Sequence, residues 1–298
     1  MQVNWQGVYP ALLTPFTSQD ELDIPLFEKN LHAQLEAGVH GVIIGGSLGE
    51  ASTLRESEKK QLVQSAKQLA GNKIPVLLNI AESITADAIA QTKLAMQWGA
   101  DGIMLLPPMR YKSDDRETAQ YFQSVAKSTE LPIMIYNNPV DYKIDFRPEL
   151  FDQLVDLPNV QALKESSRDV TNLTRMLNRF GDRFKILCGV DTLAMEELCL
   201  GAHGWVAGLV DAFPRETVAI WKLVQVGELE KARAIYRWFM PLLELDIHPK
   251  LVQYIKLAAQ EEGIGSEYVR APRLLLEGAE RARIVKVIHT ALATRPDC

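Results

Sequence analysis

Eight times along this chain, a short apolar run gives way to a longer amphipathic stretch. The apolar runs cover residues 7–15, 41–46, 75–80, 102–106, 132–137, 160–165, 185–189 and 205–210. Most are nearly continuous in hydrophobicity, which is the pattern of strands buried on both faces. The stretches between them read as helices. Residues 23–38 carry Leu26, Phe27, Leu31 and Leu35 at helical spacing, and this stretch, 55–71 and 85–99 each end on glycine, a common helix stop. Strands that alternate with helices imply parallel βα units. Eight such units in 298 residues predict an α/β fold, a closed (β/α)8 TIM barrel. A doubly wound open sheet is the alternative.

Beyond the eighth run the pattern changes. Residues 216–227, 228–243, 248–263 and 272–292 all read as helices, and no further strand follows. The expected division is a barrel over residues 1–225 and a C-terminal helical extension over 226–298. About half of the residues are apolar, enough to bury a full core. A formal charge of −6 argues against nucleic acid or an anionic membrane as the main partner. The start, Met1-Gln2-Val3-Asn4-Trp5, has no basic region followed by an apolar stretch, and no apolar run is long enough to cross a bilayer. Cys188, Cys199 and Cys298 lack metal-ligand spacing, and an odd cysteine count fits reduced thiols in a cytoplasmic protein.

Active sites of such barrels lie at the C-terminal ends of the strands, so the polar residues there matter most. Strand six ends in Lys164, which shares its face with the small Ala162, while Leu163 and Glu165 point the other way. A lysine buried at a strand end is costly unless it is paired or reactive, and desolvation makes its amine a nucleophile near neutral pH. Strand two ends in Gly45-Gly46-Ser47-Leu48-Gly49-Glu50, whose glycines let backbone amides approach a small carboxylate. Strand five ends in Tyr136-Asn137-Asn138-Pro139. Together these three ends suit a lysine that forms a Schiff base with a carbonyl substrate. Each also has a plainer reading: an ion pair for Lys164, a core aromatic for Tyr136, a strand-to-helix turn for 45–49.

Other chemistries fit less well. His32, His40, His203, His248 and His289 are too scattered to bind metal as a pair. Residues 45–49 match the Gly-x-Ser-x-Gly of a hydrolase elbow around Ser47, but there is no His-Gly-Gly segment for an oxyanion hole. No Gly-Lys-Ser/Thr phosphate loop exists, and the end of strand eight lacks a glycine-rich phosphate cradle, so the expected substrate is unphosphorylated.

Three motifs carry a resemblance that runs nearly end to end. Gly46-Ser47-Leu48-Gly49-Glu50, Tyr136-Asn137-Asn138-Pro139 and Lys164-Glu165 resemble the Gly-x-x-Gly-Glu, Tyr-Asn-x-Pro and Schiff-base lysine segments of the dihydrodipicolinate synthase / N-acetylneuraminate lyase family. The resemblance implies a TIM barrel with a helical extension, assembled as a homotetramer. It implies a small 2-oxo acid or cyclic imine acid bound covalently through Lys164, with no metal or organic cofactor. Tyr136 would relay protons, the amides of Ser47 and Leu48 would hold the carboxylate, and the Ser47 hydroxyl would hydrogen-bond Tyr136. Val206 would lie beside the lysine on strand eight.

The chain also departs from that pattern. Synthases of the family place an arginine after Tyr-Asn-x-Pro to grip a second carboxylate, and Asp141 falls there. Leu48 replaces a second hydroxyl. The relay tyrosine expected after strand four has Met109 or Arg110 in its place, with Tyr111 displaced. Residues 136–145, 248–257 and 269–274 look most like the 1-pyrroline-4-hydroxy-2-carboxylate deaminases of hydroxyproline breakdown. A 2-keto-3-deoxy sugar-acid aldolase or dehydratase, dihydrodipicolinate synthase itself and a catalytically silent binding barrel are the alternatives. Asn138, Asp141 and Ser167 are the candidates for gripping a substrate hydroxyl.

Overall fold

Every one of the eight apolar runs contains a strand. The computed structural model describes residues 2–108 and 110–297. Its strands are β1 (Gly7–Pro10), β2 (Val42–Ile44), β3 (Val76–Ile80), β4 (Gly102–Leu105), β5 (Ile133–Asn137), β6 (Val160–Glu165), β7 (Lys185–Cys188) and β8 (Gly204–Ala207). Each pairs in parallel with its sequence neighbour from β2 through β8, and β8 pairs with β1. Ala11 bridges to Ile43, and the Leu12 amide donates to the Ile43 carbonyl at 3.0 Å, so the sheet closes on itself. The fold is the expected TIM barrel, not an open sheet.

Alternation along the strands sorts the core into two layers. Tyr9, Ile43, Leu77, Met104, Met134, Ala162, Leu187 and Val206, one from each strand, fill the barrel interior. Their neighbours Val8, Ile44, Leu78, Leu105, Ile135, Leu163, Ile186 and Trp205 pack outward against the helices. The helices are α1 (Ile24–Ala37), α2 (Glu56–Ala70), α3 (Thr85–Trp98), α4 (Asp115–Ala126), the short α5 (Pro139–Tyr142) and α6 (Pro148–Phe151), α7 (Val170–Phe180), α8 (Ala194–Cys199) and α9 (Pro214–Gln225). Three more follow the last strand's helix: α10 (Leu229–Leu243), α11 (Leu251–Glu261) and α12 (Gly278–Ala293). No helix among the described residues is long and apolar enough to cross a membrane.

β1 and β8 stop furthest short of their apolar runs, for one reason. Beyond β1, the Leu13 amide donates to the buried Asp211 carboxylate at 3.0 Å instead of to a neighbouring strand. Beyond β8, the Gly208 and Leu209 amides donate to Asp191 at 3.2 and 2.8 Å. Buried carboxylates thus take the amides that a ladder would otherwise use. The last helix begins at Gly278 rather than at residue 272, because the preceding segment is held to the barrel. There the Arg270 amide donates to Glu50 at 3.1 Å, and the Arg270 guanidinium bonds Asp20 at 2.9 Å and Glu58 at 2.7 Å.

Glu50 is the centre of that attachment. It is fully buried, with a left-handed φ of 58° that few non-glycine residues adopt. Lys256 of α11 reaches it at 2.5 Å, and Arg273 at 3.4 Å. Lys256 also donates to the Tyr268 carbonyl at 2.6 Å. Removing one partner of a buried pair leaves an uncompensated charge, at a cost of about 3–5 kcal/mol. Lys256→Ala should therefore lower the unfolding free energy by about that amount in urea titration. A loss below about 1 kcal/mol, the worth of a surface pair, would show that the pair does not tie α11 to the barrel.

Candidate active site

Lys164 stands opposite Tyr136 on β5 and Leu187 on β7, one residue short of the end of β6. It is 7% exposed. Its side chain occupies room left by Gly189, where a Cβ would come within 2.7 Å of Lys164 Cε and 2.1 Å of Ser166 Oγ. The amine lies 4.1 Å from the centre of the Tyr136 ring. Among the described residues it makes no ion pair, whereas Lys256 is paired directly. Burial drives the Lys164 pKa down, and Asp246 leads the charges that hold it up. A buried amine without a bonded carboxylate spends more of its time neutral, which is the form that attacks a carbonyl.

Seven of the residues that the sequence singles out line one pocket around this amine: Lys164, Tyr136, Ser47, Leu48, Val206, Asn138 and Asp141. The amides of Ser47 and Leu48 make no backbone hydrogen bond among the described residues, which leaves both donors to the pocket. Tyr136 Oη accepts from Asn138 Nδ2 at 3.1 Å. The same nitrogen donates to Asp141 Oδ2 at 2.7 Å, and Asn138 Oδ1 caps α5 by accepting from the Asp141 amide at 3.1 Å. Burial pushes the Tyr136 phenol up to about 12, partly offset by the Asn138 hydrogen bond.

The expected bond from Ser47 to Tyr136 is not there. Ser47 Oγ instead sits 2.7 Å from Tyr142 Oη. Tyr142 closes α5 and presents its ring edge to Tyr136, centroids 5.6 Å apart. Asn138 as cap and Pro139 as first residue start a helical turn, and that turn swings residue 142 between Ser47 and Tyr136. This cap-and-proline signal was present in the sequence, and it marks Tyr142 as a site residue that strand-end reasoning passes over. Burial raises the Tyr142 phenol as well.

Other expectations fall outside the pocket. Ser167 lines a neighbouring surface groove, and its amide donates to Glu165 Oε1 at 2.6 Å. Tyr111 is exposed and hydrogen-bonds Glu117 at 3.0 Å, and Arg110 does not reach the pocket lining. Met109 lies outside the described residues. Further polar residues join the pocket: Ser166 and Arg168 from just beyond β6, and Asp246 from a place that strand-end logic does not reach. Ser166 Oγ is buried with no hydrogen-bond partner. Arg168 is exposed and adopts φ 65°, the left-handed region that disfavours a side chain. Asp246 arrives from the loop between α10 and α11. Among the described residues, no cluster of His, Cys, Asp or Glu is arranged to hold a metal ion.

Known proteins match this chain over nearly its whole length. The model of the dihydrodipicolinate synthetase family matches residues 4–291. The 4-hydroxy-tetrahydrodipicolinate synthase of Exiguobacterium sibiricum is 32% identical over 289 residues, covering 96% of this chain and 97% of that protein. The enzyme of the same name from Kosmotoga olearia is 32% identical over 285 residues, covering 94% and 96%. The dihydrodipicolinate synthase structure from Thermotoga maritima superposes with a TM-score of 0.91 at 26% identity, covering 97% of this chain and 98% of that one. The one from Aquifex aeolicus gives 0.91 at 25% identity, covering 96% and 97%. A closed eight-stranded barrel, its C-terminal helices and this span of similarity lead to one conclusion: the chain belongs to the dihydrodipicolinate synthetase family, whose members are lyases that use a Schiff-base lysine.

Proposed function

We propose that Lys164 is the Schiff-base lysine of this lyase, acting on a small 2-oxo acid or cyclic imine acid. The observation that carries the reading is a buried amine with no bonded partner in a pocket that also offers two unbonded amides. The substrate carboxylate would accept from the Ser47 and Leu48 amides. Lys164 would then attack the adjacent carbonyl or imine carbon. Tyr136, with Tyr142 and Ser47 behind it, would carry protons to and from the intermediate.

The charges of the site favour a substrate with one carboxylate. Asp141 lines the pocket where synthases of the family carry an arginine, and a carboxylate there repels a second carboxylate. This agrees with 1-pyrroline-4-hydroxy-2-carboxylate. Lys164 would add to its ring imine carbon and displace the ring nitrogen. A proton would leave carbon 3 and the 4-hydroxyl would depart as water. After the double bond shifts toward carbon 5, hydrolysis would release ammonia and 2,5-dioxopentanoate. Dihydrodipicolinate synthesis is the second reading, and the names of the relatives back it more directly than they back deamination. Arg168 at the pocket lining gives it a cation for a second carboxylate. On either reading we expect a cytoplasmic homotetramer.

Offering both substrate sets to the same preparation decides between the readings. Wild type should release ammonia and 2,5-dioxopentanoate from 1-pyrroline-4-hydroxy-2-carboxylate, and folded Lys164→Ala should release neither. Condensation of pyruvate with aspartate 4-semialdehyde, without ammonia release, would establish the synthase instead. Tyr136→Phe should slow turnover by about a hundredfold or more, the scale of a lost proton-transfer group. Tyr142→Phe keeps the ring but cuts the link to Ser47, and should cost about tenfold. Unchanged turnover in steady-state assays would remove the altered tyrosine from the mechanism.

A further inference from the structure

We propose that Asp246 is the proton partner of Lys164: the two share one pocket without a direct ion pair, and through a water between them Asp246 takes a proton from the ammonium to free the amine, then returns it to the group leaving the substrate carbon. The inference rests on Lys164 being the nucleophile. It adds a residue from the C-terminal extension to the chemistry of a site otherwise built from the barrel.

The geometry is specific. Asp246 lines the same pocket as Lys164, Tyr136 and Ser166. It fits only because residue 208 has no side chain: a Cβ on Gly208 would lie 2.3 Å from Asp246 Oδ1. Among the described residues, no side chain hydrogen-bonds its carboxylate. Asp191, the other acid near the amine, is saturated by the Trp205 indole at 2.8 Å and by the Gly208 and Leu209 amides. Asp191 is therefore fixed as an acceptor that ends β8, while Asp246, which accepts from the Asp191 amide, has no side-chain donor holding it as a carboxylate.

The charges around the pair agree. Asp246, Tyr142, Asp191 and Cys188 face the Lys164 amine. Asp191, Lys164 and Asp141 face Asp246. Burial, then Asp191, pushes the Asp246 carboxyl well above the usual range, while burial pushes Lys164 down. Both shifts bring the proton affinities of the two groups toward each other. Tyr136, held up at about 12, already carries its proton at neutral pH and has no place for that first proton.

The step balances. An N–H bond of Lys164 breaks and an O–H bond of Asp246 forms. The freed nitrogen pair makes the bond to the substrate carbon, and the carbon's π pair moves onto its oxygen or ring nitrogen. That atom takes the proton from Asp246; the added Lys164 nitrogen then gives up its second proton to the same atom, which leaves as water or as the ring-opened amine while the C=N bond forms.

The test is pH-dependent labelling of Lys164 by acetic anhydride, read by peptide mass spectrometry, in wild type and Asp246→Asn, beside turnover. Losing the neighbouring negative charge destabilises the ammonium, so the labelling midpoint should move to lower pH by about one unit or more. Lys164 should therefore label faster at neutral pH while turnover at the same pH falls by about a hundredfold. Structural damage would instead slow both together. A labelling profile that does not move, or turnover that does not fall, overturns the proposal. Labelling needs no substrate, so a wrong substrate assignment is recognised separately, by absent turnover in wild type with the labelling shift intact. Asp246→Ser gives the same comparison if the asparagine variant does not fold.

Discussion

An amine taken out of water without a bonded counter-charge is the interaction on which this site depends. Lys164 pays the desolvation penalty at the end of β6, and burial drives its pKa down, which favours the neutral amine. The contrast with Lys256 makes the point within one molecule. Both lysines are buried, yet Lys256 meets Glu50 at 2.5 Å and the Tyr268 carbonyl at 2.6 Å, while Lys164 faces a ring and an open pocket. Burial alone therefore does not mark a reactive lysine. Burial without a bonded partner, beside space for a substrate, does.

The surroundings keep the amine in that state. Gly189 leaves the room that its side chain fills, and Ala162 beside it on the inner face adds no bulk. Asp191 is near enough to act on the lysine through charge, but its oxygens are committed to Trp205, Gly208 and Leu209. The same hydrogen bonds that end β8 thus hold the Asp191 oxygens away from an ion pair with the Lys164 amine. Glu50 and Lys256 attach α11 to the barrel, and Asp246 lies in the loop just before that helix. Through this arrangement the C-terminal helices supply part of the pocket as well as covering the barrel.

The barrel was legible from the sequence because each strand is an apolar run bounded by helical segments, and eight repeats leave few alternatives. Fold and polarity together point to the strand-end residues Ser47, Tyr136 and Lys164, and these line one pocket. What could not be read depends on long-range packing. Asp211 and Asp191 shorten β1 and β8 from positions far along the chain. Asp246 reaches the pocket from beyond the eighth strand, where a strand-end rule gives no guidance. Ser47 and Tyr136 were paired by resemblance, but the turn begun by Asn138 and Pro139 inserts Tyr142 between them. Residues 272–277 carry a helical pattern that attachment of Arg270 to Asp20 and Glu58 overrides.

The charge of the pocket is set by two carboxylates and a guanidinium. Asp141 and Asp246 oppose a second carboxylate there, and Arg168, held in a left-handed conformation, is the cation that could admit one. All of these roles presuppose the covalent step. The most direct test is borohydride reduction of the protein incubated with pyruvate or 1-pyrroline-4-hydroxy-2-carboxylate, followed by peptide mass spectrometry. The account predicts a substrate-derived mass on the peptide that contains Lys164, and none on the peptide that contains Lys256. An adduct on another lysine, or no adduct with either compound, would contradict it.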